Sequence, residues 1–170
     1  DIESTKTHGG SNRYLIKRIS NKSYNIHSNV KKQITKELNY GLHKFSTYNK
    51  FAIKVEKSKK KLIVIFKNLK KLNAKIIGYG ATAKSCTVLN YCGIGKNYIE
   101  YFYDTTSYKI NKYLPGSKIL IKKYKKLDRN KTDVVYLGAW NFKDEIFKKE
   151  KSFIKKGGRF ITHVPYPKII

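Results

Sequence analysis

The chain predicts an α/β fold with a mostly parallel sheet, preceded by two N-terminal helices, and three observations carry that prediction. From Lys75 onward, short apolar runs alternate with helix-compatible segments, the pattern that builds βαβ units. One of those runs, Lys75-Ile76-Ile77, passes straight into Gly78-Tyr79-Gly80-Ala81-Thr82-Ala83-Lys84, a G-x-G-x-x-A turn. At 170 residues, 40% of them apolar, the chain is long enough for one domain with a substantial core.

The N-terminal region carries different signals. Asn12 to Ile19 partly alternates and reads as a strand entered through a glycine turn at His8-Gly9-Gly10-Ser11. A polar stretch over 20–29 follows, and Ser28 or Asn29 is positioned to cap a helix bearing Val30, Ile34, Leu38 and Leu42. After Ser46 a longer helix is expected, with Phe51, Val55, Leu62, Phe66 and Leu69 on one stripe and Lys57, Lys59, Lys60 and Lys61 mostly in solvent.

The α/β region is predicted to run as strand 75–79, helix 82–92, strand 98–103, a Tyr113-Leu114-Pro115-Gly116 loop, a short strand 118–121 and a strand 133–137. One helix then starts near Asn141, with Asp144 and Glu145 in its first turn, and ends with Lys155 and Lys156 before Gly157-Gly158. A last strand, 159–164, stops before Pro165.

The glycine turn is the candidate site. Gly78 is expected at φ > 0, while Gly80, without a Cβ, would let a ligand approach the backbone. A helix starting at Thr82 or Ala83 would aim unpaired N–H groups and its positive dipole end at an anion, with Lys84 adding a mobile charge. On this reading Gly80→Val blocks the site sterically and leaves the domain folded. Asp104 ends the next strand, where it can accept from a ribose or cap the Thr105-Thr106-Ser107 loop; both readings stand.

A formal charge of +27 invites a nucleic-acid reading. Against it, only Arg13, Arg18, Arg129 and Arg159 are arginines among 38 Lys and Arg residues, and the lysines are spread along the whole chain. No specific nucleic acid partner is expected, only nonspecific attraction to polyanions. Cys86 and Cys92 read as core thiols, and His8, His27, His43 and His163 lack ligand spacing, so no metal is expected. No run approaches the ~20 apolar residues of a membrane span, and no leader is readable after Asp1; a soluble, cytoplasmic protein with no membrane partner is expected.

In order along the chain, His8-Gly9-Gly10-Ser11, Gly78-Tyr79-Gly80-Ala81 with Ala83-Lys84, and Leu89-Asn90-Tyr91-Cys92-Gly93-Ile94 are followed by four further motifs. These are Asp104 with Lys109, Tyr113-Leu114-Pro115-Gly116, Trp140-Asn141 with Lys143-Asp144-Glu145-Ile146, and Gly157-Gly158-Arg159-Phe160. The set resembles the C-terminal domain of the S-adenosylmethionine-dependent sugar C-methyltransferases, which methylate a keto-sugar carried on a nucleoside diphosphate. Thr82 and Lys112 depart from the small or proline residue and the arginine usual there.

The resemblance implies a Rossmann-like, three-layer domain over 29–170, with 1–28 as the end of a preceding central domain and linker. It also implies a nucleoside-diphosphate sugar held between central and C-terminal domains, while a base elsewhere forms the enolate that takes the methyl group. The missing SAM-binding and zinc-binding domains are expected in a longer enzyme. No cofactor is expected on this fragment, S-adenosylmethionine is expected in the full-length enzyme, and the fragment is expected to be inactive alone, with no catalytic residue of its own. Gly78, Gly80, Ala81 and Lys84 are expected near the diphosphate, with Asn90 and Asp104 as further polar contacts. The alternatives are a standalone NAD-type dinucleotide-binding domain, with Asp104 on the ribose, and a basic nucleic-acid-binding protein.

Overall fold

A computed structural model describes residues 1–170, which divide into two compact units, Asp1–Lys54 and Val55–Ile170. In the first unit, β1 (Ile2–Thr5) and β2 (Ser11–Tyr14) form an antiparallel hairpin, with Ile2 opposite Tyr14. The glycines serve the turn: Gly10 adopts φ 125° and Gly9 φ 90°. The expected strand through Ile19 stops at Tyr14, because its four-residue partner is used up once the Leu15 N–H donates to the Asp1 carbonyl. Helix α1 (Ser28–Tyr40) begins after His27, not Ser28 or Asn29, and has no side-chain cap. It closes on Gly41 in the left-handed region, whose N–H reaches the carbonyls of Glu37 and Leu38.

Helix α2 (Phe45–Lys71) runs through the division between the units. Its stripe is real only in the C-terminal half. Leu62, Phe66 and Leu69 are buried, whereas Phe51 is 65% exposed.

In the second unit, β3 (Ile76–Tyr79), β4 (Tyr101–Asp104), β5 (Leu120–Lys123), β6 (Val134–Leu137), β7 (Arg159–Thr162) and β8 (Lys168–Ile169) form one sheet in the order β5-β4-β3-β6-β7-β8. Every pairing is parallel except β7 with β8. The antiparallel edge strand β8 carries no sequence signal, since it is two residues long after Pro167. Strand residues alternate between two apolar clusters, as the two-residue pleat requires. Ile76, Phe102, Val134 and Tyr136 join Leu62, Phe66 and Leu89 in one; Ile77, Val135, Leu137 and Phe160 join Ile146 and Phe153 in the other. Strands from the centre of such a sheet read as continuous apolar runs because both faces are covered.

Helix α3 (Ala83–Cys92) follows β3 and ends on left-handed Gly93. Beyond β6 the single helix expected from Asn141 is three pieces: a 3₁₀ turn (Trp140–Phe142), α4 (Lys143–Lys149) and α5 (Lys151–Lys155). The break falls at Glu150, whose side chain turns into the interior. Tyr98 and Ile99, expected in a strand, instead donate both N–H groups to the Gly95 carbonyl. Lys118 and Ile119, expected to open another, precede β5; Lys118 takes φ 53° in the Pro115-Gly116 turn.

Candidate functional site

The sheet order reverses direction between β3 and β6, so their outgoing connections diverge and leave a crevice at the carboxyl ends of the strands. A cleft of about 310 Å³ lies there, lined by Tyr79, Thr82, Asp104, Lys109, Tyr124 and Lys149 among others. Its floor is the glycine turn.

Gly78 is not in the left-handed region. It sits in β3, where an added Cβ would fall 2.4 Å from the Phe102 ring, so it is glycine to admit an aromatic neighbour. Gly80 takes the positive φ, 83°, and a Cβ there would meet the Ala139 Cβ at 2.5 Å. The missing side chain of Gly80 is thus required by the loop after β6. A valine at 80 would collide inside the protein, which corrects the expectation that Gly80→Val leaves the domain folded.

Asp104 is spent on the turn itself. Its Oδ2 accepts from the Ala81 N–H at 2.8 Å and its Oδ1 from the Thr106 N–H at 2.8 Å. Lys109 stands 3.6 Å away and donates to the Ala81 carbonyl at 3.0 Å. Burial pushes this carboxyl up, but the Thr106 and Ala81 N–H groups and the Lys109 ammonium outweigh it and hold the group below the ordinary carboxylate value. Asp104 and Lys109 together pin Ala81 from both sides.

Thr82 caps α3. Its Oγ1 accepts from the Ser85 N–H, the Ser85 hydroxyl accepts from the Thr82 N–H, and the Thr82 hydroxyl reaches the Gly138 carbonyl at 3.1 Å. With Ala81, Thr82 and Ser85 satisfied, the N–H groups of Ala83 and Lys84 are left facing out of the helix start. The Lys84 ammonium lies 5.0 Å from the centre of the Trp140 ring, outside the cleft lining.

Asn90 is elsewhere. It lies near the other end of α3, where its amide donates to the Pro115 carbonyl at 3.1 Å and packs against Gly116. The structure therefore brings Gly80, Ala81 and Asp104 together, places Lys84 at their flank and separates Asn90 from them.

Sequence reasoning did not select Thr82, Lys109, Tyr124, Lys149 or Glu150 as site residues. For Thr82 the cap spacing to Ser85 was a usable signal, and Lys109 stood in a motif. Tyr124 and Lys149 look like any other residues of a lysine-rich chain. The phenol of Tyr79 is pushed up to about 12 by burial and by the charge of Glu150, and that of Tyr124 is raised by burial and by its hydrogen bond to Glu150. Both remain protonated donors at neutral pH.

Elsewhere, Cys86 and Cys92 are free thiols, no cluster of three or more metal-ligating side chains occurs, and no helix is long and apolar enough to cross a membrane.

The C-methyltransferase C-terminal domain family matches residues 6–165. This chain belongs to that family. As a C-methyltransferase C-terminal domain it is also 31% identical over all 170 residues to the C-methyltransferase NovU of Streptomyces niveus, and it spans 40% of that relative's length. The family match takes in the glycine turn, the cleft and every strand of the large sheet except β8.

Proposed function

We propose that this methyltransferase domain is the substrate-binding C-terminal part of a SAM-dependent enzyme that methylates carbon on a nucleotide-linked keto-sugar, with the diphosphate seated over the start of α3. The supporting observation is the cleft at the sheet's crossover point, with Lys109 and Lys149 among its lining residues and the free N–H groups of Ala83 and Lys84 beside it. Dianionic phosphate suits that donor set: a helix start, two ammonium groups and the Lys84 charge at the flank.

Within this reading, Gly80 and Ala81 shape the floor, Gly78 packs it, Lys84 and Lys149 supply positive charge, and Asp104 with Lys109 fixes the turn. Asn90 supports the Pro115-Gly116 turn at the far end of α3. The apolar clusters on both sheet faces, built from Leu62 onward, support a Rossmann-like, three-layer arrangement for the second unit; within this reading the domain extends back to 29, with 1–28 belonging to a central domain.

The adenosyl methyl donor suits this turn poorly. A ribose there would need an acceptor at the end of β4, and Asp104 is buried, with each carboxylate oxygen already accepting a backbone N–H within the turn. S-adenosylmethionine and structural zinc are therefore assigned to other domains of a longer cytoplasmic enzyme, and this chain alone carries no methyl transfer. The same occupied carboxylate argues against an NAD-type ribose site.

Calorimetry tests the reading. Thymidine diphosphate should give saturable heat with the chain, and S-adenosylmethionine none. Saturable micromolar binding of S-adenosylmethionine, with no diphosphate binding, would reverse the assignment.

A further inference from the structure

Glu150 is 1% exposed and has no cation within ion-pair distance. A buried carboxylate without a counter-charge is costly to keep unless hydrogen bonds satisfy it. Here two do: the Tyr124 hydroxyl donates to Oε1 at 2.7 Å, and the Leu127 N–H donates to Oε2 at 3.2 Å. The helix breaks at this residue, so the chain forgoes a continuous helix where the side chain reaches for the segment after β5.

What that contact holds is the wall of the cleft. The Tyr124 ring packs edge-on against Tyr79 at 5.6 Å and Tyr103 at 6.2 Å. Over the same ring, 3.6 Å from its centre, stands the Lys149 ammonium. Lys149 has Glu145 one helical turn before it, the usual partner on a helix surface, yet forms no ion pair with it. The ring holds the charge in its place.

We propose that Glu150 is a positioning residue for anion recognition in this cleft: by anchoring the Tyr124 hydroxyl it fixes the ring that holds the Lys149 ammonium at the cleft mouth. The inference rests on the phosphate reading above for its ligand, but the positioning itself is a property of the free protein. Lys149 contacts the anion; Glu150 and Tyr124 act through it.

The test uses the full chain in two measurements. In the free protein, the Lys149 ε-methylene proton resonances should lie upfield because of the Tyr124 ring, and should return toward the ordinary lysine position in Glu150→Met and Tyr124→Phe. Glu150→Gln, which keeps an acceptor and a donor that a rotated tyrosine hydroxyl can meet, should stay near the parent.

The second measurement is inorganic pyrophosphate affinity, with thymidine as an uncharged control. Loss of one partly exposed charge-assisted contact should weaken pyrophosphate binding about five- to tenfold in Lys149→Met. Glu150→Met should weaken it by a similar factor, and the Glu150→Met/Lys149→Met double variant should be no worse than Lys149→Met alone. Thymidine binding should not separate the variants. If Glu150→Met does not fold, Tyr124→Phe carries both measurements. Unmoved Lys149 resonances in the folded variants, or losses that add in the double variant, would overturn the proposal. Failure of the parent to bind pyrophosphate, with the Lys149 resonances still responding, would sink the phosphate reading and leave the positioning intact.

Discussion

Gly80 and His163 show how single residues are set by what stands against them. Gly80 combines a left-handed backbone with an Ala139 Cβ 2.5 Å from where its own would lie. Gly80→Ala is therefore expected to cost roughly 1–3 kcal/mol or more, through backbone strain and overpacking together; a thermal melt coincident with the parent would refute that account. His163 stacks on Tyr136, with its Nδ1 3.1 Å from the phenol oxygen, and burial lowers its pKa from 6.5 to about 4. The folded value is below the unfolded one, so the unfolded chain binds the extra proton first. Stability should therefore fall as pH drops from about 6.5 toward 4, by up to about 3 kcal/mol. In His163→Gln the melting temperature should vary less across that window, and an identical pH profile would rule out this source of acid sensitivity.

At the level of elements, packing decided what the pattern of the sequence left open. Phe66 of α2 is fully buried, with its ring 5.9 Å from those of Tyr98 and Tyr136. Phe66→Ala should lose about 3–5 kcal/mol in chemical denaturation, and a loss under ~1 kcal/mol would mean that α2 is not docked through this residue. The alternation from β3 to β7 was legible because buried parallel strands are short apolar runs between helical segments. The break at Glu150 was not: nothing in Phe147-Lys148-Lys149-Glu150-Lys151 marks a glutamate that points inward to a tyrosine 26 positions away. Gly78-Tyr79-Gly80 is legible as a strand-to-helix turn, but the packing reasons for its two glycines are not, since Phe102 and Ala139 come from distant strands and loops. The pinning of Ala81 by Asp104 likewise depends on where β4 lies, whereas the Thr82 cap is local, its partner Ser85 being three residues on.

Over the whole molecule the charge of +27 is distributed, and part of it is laid over aromatic rings: Lys59 over Tyr91, Lys70 over Tyr98, Lys84 over Trp140, Lys122 over Tyr101 and Lys149 over Tyr124. Rings covered this way are poor platforms for stacked bases. Binding to DNA or RNA should consequently fall steeply between low and physiological salt and show no sequence preference. An oligonucleotide held at physiological salt with ~10³-fold preference over random sequence would contradict this.

The central claim, a phosphate seat at the start of α3, predicts a localised response against that diffuse positive background. The direct measurement is amide mapping by nuclear magnetic resonance with thymidine diphosphate at physiological salt. Saturable shifts should concentrate at Thr82, Ala83, Lys84, Thr105, Thr106 and Lys149, with Asn90 and the lysines of α2 unmoved. Shifts spread over the α2 lysines without saturation, or none at Ala83 and Lys84, would contradict it.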